Sequence, residues 1–165
     1  MSKILWEPSL EFIKSTNIYK FKKHINKKYN LSIDSYSSLY KWSIENIEEF
    51  WSEVWDFSDI KHSKSYNKVL TTSENMIESK WFDGAKLNFA ENLLKHKSNE
   101  TAIFSFREDS YYETITFNQL YDYVAKLSNT LKKNGLKKGD RVVAYMPNIP
   151  ETIIAMLAST SLGAI

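Results

Sequence analysis

The chain contains 165 residues, of which 42% are hydrophobic, 15% aromatic and 25% charged, with a formal net charge of +2. This apolar content supplies a packed core, and the nearly balanced charge gives no indication of a nucleic-acid or anionic-lipid partner. The absence of cysteine excludes disulfides, thiolate metal sites and cysteine nucleophiles. No apolar run approaches the roughly 20 residues of a membrane span, and no signal-peptide core follows Met1, so we expect a cytoplasmic protein.

The first helical pattern begins after Thr16, a suitable N-cap. Apolar side chains follow at helical spacing, at Ile18, Phe21, Ile25 and Tyr29. The opposite face carries lysines at positions 20, 23 and 27, with Lys22, His24 and Lys28 nearby. A phosphate-binding patch and a solvated helix face both fit this pattern, and we favour the solvated face.

Two further helices are predicted before residue 57. Asp34 or Ser35 caps a short helix through Trp42, and Ser43 caps a second helix over residues 44–56. Apolar side chains form a stripe on the second helix, at Ile47, Phe50, Trp51, Val54 and Trp55. The stripe fits a nucleotide-stacking platform or a packed core, and we favour the core because aromatic rings bury large areas.

From residue 81 onward, loops give way to alternating strands and helices. Gly84 indicates a tight turn before a short helix ending near Leu94. Residues 102–107 and 111–116 predict an antiparallel hairpin. Thr116 and Gln119 have the spacing of a capping box, which predicts a helix over 117–134 that stops at Gly135.

The last part of the chain predicts an α/β layer. Residues 141–146 are expected to form a buried strand, and Asn148 with Glu151 to cap a helix over 149–162. Helix, strand and helix with short connections are typical of a mostly parallel sheet. Because Gly163 ordinarily introduces a further strand, we expect the chain to be cut within this domain.

No residue is assigned a catalytic, cofactor-binding or metal-binding role. The glycines, at positions 84, 135, 139 and 163, are too dispersed for a phosphate-cradling loop. His24, His62 and His96 have no partner at metal-site spacing, and surface roles are expected for them. Asp56 and Asp59 could form a pair of catalytic carboxylates, but each lies where a helix ends and a turn begins. We therefore favour a role in the turn for both residues.

Six segments carry a recognisable pattern: residues 39–45, 50–57, 81–94, 135–142, 145–148 and 151–165. Together they resemble the adenylate-forming superfamily, in the branch of acetyl-CoA and acetoacetyl-CoA synthetases. Gly84-Ala85, where acetyl-CoA synthetases typically have two glycines, is similar to the acetoacetyl-CoA synthetase family. The same family is also similar to this chain at residues 89–94, at Trp6-x-Pro8 and at residues 16–18.

The resemblance implies an α/β fold: an N-terminal helical and irregular extension over residues 1–97, then the truncated start of an AMP-binding domain over 98–165. It implies an N-terminal fragment of an acetoacetate–CoA ligase that uses ATP, CoA and Mg²⁺ in lipid and ketone-body metabolism. The ligase acts through an acyl-adenylate and releases AMP and pyrophosphate. The family's catalytic motifs lie beyond residue 165, so the fragment alone is expected to be inactive. Two alternatives to the acetoacetate–CoA ligase interpretation stay open: a fragment of an acetyl- or propionyl-CoA synthetase, and a non-catalytic interaction module that retains this N-terminal region.

Overall fold

A computed structural model describes residues 5–165, which divide into two compact units. The N-terminal unit contains the described residues through Ile60 together with Asn67–Asp83. The C-terminal unit contains Lys61–Tyr66 and Gly84–Ile165. The domain boundary expected near residue 97 stays a prediction.

The N-terminal unit is mainly helical. Its helices are α1 (Leu10–Ser15), α2 (Asn17–Tyr29), α3 (Tyr36–Glu45) and α4 (Ile47–Phe57). Thr16 caps α2 as predicted, because its hydroxyl accepts a hydrogen bond from the Tyr19 backbone N–H at 3.3 Å. Phe21, Ile25, Ile33 and Leu39 form the buried core, in which Ile25 is fully buried.

The boundary between α3 and α4 lies further along the chain than predicted. Ser43 does not cap the second helix; it lies within α3, and its hydroxyl donates to the Tyr40 carbonyl at 2.8 Å. The chain leaves helical geometry at Asn46, whose side-chain amide donates to the Trp42 carbonyl at 3.0 Å. A serine inside a helix can bond the preceding turn, so its presence alone does not mark a helix start.

The N-terminal unit also contains a two-stranded antiparallel sheet that the sequence analysis did not predict. Strand β1 (Lys68–Thr71) pairs with β2 (Lys80–Asp83). A single turn of 3₁₀ helix, Met76–Glu78, lies between them. Both strands have only four residues, and Phe82 in β2 has a φ of 48°, so neither gives the alternating pattern of a regular strand.

The C-terminal unit confirms the predicted hairpin and the helix that follows it. Its first helix, α5 (Phe89–Leu93), precedes strands β3 (Thr101–Phe106) and β4 (Tyr112–Thr116). Thr116 and Gln119 form the predicted capping box at the start of α6 (Phe117–Lys133). At the other end, Gly135 and Leu136 donate their N–H groups to the carbonyls of Lys132 and Leu131, which completes a Schellman cap.

The last helix, α7 (Pro150–Ser161), begins one residue later than predicted. Its N-cap is Ile149, without a side-chain capping bond, so the predicted cap by Asn148 and Glu151 is wrong. Proline holds the residue before it in extended geometry and is itself suited to the first helical position, which places the start at Pro150. Helix α7 packs with α5 and α6 around Ala90, Val124 and Leu157.

Residues 141–146 are not assigned to a strand, although they are not helical either. Two backbone hydrogen bonds flank Arg141: Ile165 N–H donates to the Asp140 carbonyl at 2.8 Å, and Val142 N–H donates to the Ile165 carbonyl at 2.8 Å. This is the bonding pattern of a parallel strand pair. Beyond Val142 no backbone ladder continues within the described residues, so the predicted strand is present only as its first pairing.

Substituting Gly163 by alanine is expected to destabilise the C-terminal unit more than the same change at Gly135. Both glycines have positive φ, 75° and 92°, which costs alanine about 1 kcal/mol. A Cβ at Gly163 would also lie 3.0 Å from the Lys138 Cγ, whereas a Cβ at Gly135 meets nothing within 4 Å. Urea unfolding of the two variants measures the difference in their free energies of unfolding. Equal losses would show that Lys138 does not crowd a side chain at position 163.

Candidate functional site

A cluster of charged and polar side chains surrounds the buried Glu53 in the N-terminal unit. The Glu53 carboxylate lies on α4 and is only 1% exposed. Helix α2 supplies its partners: the His24 Nε2 at 2.7 Å, the Tyr29 hydroxyl at 2.9 Å and the Lys28 ammonium. A buried carboxylate requires such partners because an unpaired charge is costly to remove from water.

The pKa values of two groups show how these contacts distribute charge. Burial opposes ionisation of Glu53, but the hydrogen bonds from Lys28, His24 and Tyr29 outweigh it, so the pKa of Glu53 lies below its ordinary value. Burial and the hydrogen bond to Glu53 raise the pKa of Tyr29 to about 12. Glu53 is therefore a carboxylate, and Tyr29 a neutral donor, at neutral pH.

This cluster is suited to joining α2 to α4 and not to catalysis. Each of its contacts is made within the N-terminal unit, and the carboxylate has almost no surface through which it could reach a substrate. The sequence predicts a surface position for His24, and its side chain is 40% exposed. The structure adds a contact that the sequence does not predict, between the His24 ring and the buried Glu53 carboxylate. Sequence spacing along one helix could not reveal a partner that lies 29 residues away.

The remaining polar candidates are two histidines and the pair of aspartates at the end of α4. His62 and His96 are exposed. Asp59 has a φ of 50° and donates its N–H to the Asp56 carbonyl at 3.0 Å, which confirms the predicted use of this pair in the turn after α4. Within residues 5–165, no group of three or more His, Asp or Glu side chains is placed to hold a metal ion.

The aromatic stripe of α4 packs within the N-terminal unit, which confirms the predicted core. Trp55 is buried, and its ring centroid lies 4.8 Å from that of Phe82. Phe50 contacts Phe21 edge to face at 5.8 Å. Trp51 is partly exposed but packs against Trp81 at 5.6 Å. The rings therefore contact one another instead of forming an open stacking platform.

The lysine face of α2 is solvated, as predicted. Lys20, Lys23 and Lys27 are exposed. Lys22 departs from this pattern, because its ammonium donates to the Asp34 carbonyl at 2.6 Å. Helix length and composition give no candidate for a membrane-crossing segment in the described part of the chain.

The feature most directly related to the resemblance is the start of a parallel sheet. Between Pro147 and Gly163, helix α7 connects the extended segment 140–142 to Ile165, which pairs with it in parallel. Val143 and Tyr145, which follow this segment, are almost fully exposed, so no described residue covers their side chains. A strand, a helix and a parallel partner form the repeating unit of an α/β domain.

Comparisons with known proteins agree with this architecture. Residues 36–93 match the family model described as "Acetyl-coenzyme A synthetase N-terminus", and residues 89–165 match the family model "AMP-binding enzyme". The two matches overlap at α5 and together extend from α3 to the last residue.

Individual relatives match the chain over nearly its whole length. An acetoacetyl-CoA synthetase of Xenopus tropicalis is 42% identical over 99% of this chain and 25% of its own length. A malonamoyl-CoA synthetase of Penicillium aethiopicum is 38% identical over 98% of this chain and 23% of its own length. The solved structure of an acetoacetyl-CoA synthetase from Streptomyces lividans is 30% identical, with a TM-score of 0.83 over 99% of this chain and 26% of that chain. The chain thus spans about a quarter of the length of these relatives.

Proposed function

Because the chain is homologous to the acetoacetyl-CoA synthetases over nearly all of its length, we propose that it forms the N-terminal region of an acetoacetate–CoA ligase. The observation that carries this proposal is the similarity in sequence and in structure over 99% of this chain. In each of these enzymes, the matched part is about a quarter of the enzyme's own length. In this proposal, residues 1–97 form the N-terminal region and residues 98–165 begin the AMP-binding domain.

The proposed ligase is a cytoplasmic enzyme that activates acetoacetate with ATP and Mg²⁺. It forms an acyl-adenylate and pyrophosphate, and then transfers the acyl group to the CoA thiol with release of AMP. Such chemistry requires preorganised donors around the α-phosphorus and groups that close over the substrates. The proposed enzyme acts on these small molecules and has no nucleic-acid or membrane partner.

The described residues do not fit an ATP–Mg²⁺ site, so no catalytic step is assigned to them. The glycines belong to separate turns with positive φ, at positions 84, 135, 139 and 163, and do not form one phosphate loop. The most deeply buried carboxylate, Glu53, is occupied by contacts from α2. We propose instead that this region supplies the first parallel pairing of the sheet on which the nucleotide site of the whole enzyme is built.

The substrate of the whole enzyme is proposed to be acetoacetate, with malonamate as a second candidate. The names of several relatives that are 38–42% identical to this chain support acetoacetate, and the name of one relative that is 38% identical supports malonamate. Each acid carries a second carbonyl that acetate lacks. A pocket built to hydrogen-bond that carbonyl leaves its polar groups unpaired when acetate binds, which disfavours acetate.

The substrate assignment predicts a ranking of kcat/KM for a full-length protein that contains this chain. We expect acetoacetate to exceed acetate and propionate by about 100-fold or more, because unpaired polar groups in a pocket cost several kcal/mol. Malonamate serves as the test of the second candidate. Equal or better efficiency with acetate would contradict the substrate assignment while leaving the ligase class in place.

A further inference from the structure

Strand β3 leaves one edge of its hairpin without a partner strand. The sheet of the C-terminal unit contains only β3 and β4. Just after β3, the Arg107 N–H donates to the Tyr111 carbonyl at 3.0 Å, so the backbone groups of Arg107 point toward β4. Successive residues of a strand direct these groups to opposite edges, so those of Phe104 and Phe106 point away from β4. Within residues 5–165 no third strand lies beside them.

The free edge of β3 lacks the features that ordinarily keep edge strands apart. Its sequence is Thr-Ala-Ile-Phe-Ser-Phe, six residues without a charge, a proline or a glycine. Edge strands of natural proteins usually carry a lysine, a proline or an inward-pointing charge. Uncharged segments of this length and composition pair readily with identical segments. Strand β4 differs, because Glu113 lies within it.

The outward face of the hairpin places uncovered aromatic rings beside this edge. Phe104, Phe106 and Tyr112 are 62%, 74% and 51% exposed. The ring centroids of Phe106 and Tyr112 lie 4.7 Å apart across the two strands. Aromatic pairs across neighbouring strands stabilise a sheet, so a further strand with an aromatic residue opposite Phe104 gains contacts on this face.

The charges at the two ends of β3 favour an antiparallel pair of identical strands. Glu100 precedes the strand and Arg107 follows it. An antiparallel pair places the Glu100 end of one strand beside the Arg107 end of the other, whereas a parallel pair places like charges together. The Arg107 guanidinium already bonds the Asp109 carboxylate through Nε and Nη2. Because a guanidinium has five N–H donors, it can bond a second carboxylate as well.

We propose that two copies of this chain pair through β3, antiparallel about a two-fold axis at Phe104, and form one four-stranded sheet. The Phe104 N–H and C=O groups of each copy then bond the C=O and N–H groups of Phe104 in the other copy. The two Phe104 rings lie opposite each other on the outward face. Because both copies use the same edge, the assembly closes as a dimer. This pairing does not depend on the ligase activity proposed above.

The test is sedimentation equilibrium of the 165-residue chain over about a hundredfold range of concentration, where we expect a monomer–dimer equilibrium. Phe104→Lys places like charges opposite each other and should raise the dissociation constant of the dimer about tenfold or more. An equimolar mixture of Phe104→Lys and Phe104→Glu chains should recover the dimer, because opposite charges then face each other. The matched control is Phe12→Lys, since Phe12 is 58% exposed on α1, and it should leave the equilibrium unchanged.

Amide hydrogen exchange gives a second readout of the same edge. The Phe104 and Phe106 amides should exchange more slowly as the concentration rises, whereas the Ser105 amide, which points toward β4, should not respond. Far-UV circular dichroism of each variant confirms that the fold is retained. A parent chain that is monomeric at every concentration would overturn the proposal. Equal effects of Phe104→Lys and Phe12→Lys would also overturn it, and so would a mixture of the two charged variants that stays monomeric.

Discussion

Substitution of Leu157 by alanine is expected to lower the free energy of unfolding of the C-terminal unit by about 3 kcal/mol. Leu157 lies on α7, is fully buried and belongs to the core cluster that includes Ala90 and Val124. Removing its side chain loses transfer free energy and leaves a cavity, because close-packed neighbours relax only partially. Urea unfolding monitored by circular dichroism measures the loss.

Met156 provides the matched control for this prediction. It precedes Leu157 on α7 but is 49% exposed, so Met156→Ala removes a side chain of similar size from the solvated face. We expect a loss below about 1 kcal/mol for this variant. Comparable losses for the two substitutions would show that α7 does not bury the face described here.

Substitution of Glu53 by alanine should destabilise the N-terminal unit by about 2–3 kcal/mol. Removing one partner of a buried ion pair ordinarily costs about 3–5 kcal/mol. The lower value is expected because the side chains of His24 and Lys28 are 40% and 48% exposed and can be rehydrated. Glu53→Gln keeps the volume and an acceptor for Tyr29, so its loss should be smaller.

The effect of Glu53→Gln should depend on pH in a defined direction. The pKa of Glu53 is lower in the folded chain than its ordinary value of 4.5, which represents the unfolded chain. A carboxylate of this kind contributes its full stability above pH 4.5 and loses it as the pH falls through the folded pKa. The difference between the parent chain and the Gln variant should therefore shrink in acid. A difference that is constant from pH 7 to about pH 3 would contradict an ionised Glu53.

Local sequence signals predicted the parts of the fold that are themselves local. The capping box of Thr116 and Gln119 and the stop at Gly135 lie within a few residues of the helix ends that they define. The predicted start of α7 is one residue too early, because Asn148 and Glu151 have capping spacing whereas Pro150 fixes the geometry of the first helical position. A periodic pattern identifies a helix more securely than its first residue.

Features that depend on distant residues could not be read from spacing. The contact between His24 and Glu53 joins two helices, and neither residue has its partner nearby in the sequence. The segment 141–146 has the composition of a strand, but a strand is defined by its neighbour, and only the pairing beside Arg141 forms.

Release of pyrophosphate is the measurement that tests the proposed function most directly. Two proteins are compared in the presence of ATP, Mg²⁺ and acetoacetate: the 165-residue chain and a full-length protein that contains it. We expect acetoacetate-dependent release from the full-length protein, and release at the level of the buffer control from the chain, because the described residues hold no group of three metal-ligating side chains and no phosphate loop. Pyrophosphate release by the chain above that control, or its absence from the full-length protein with every acid tested, would contradict the account.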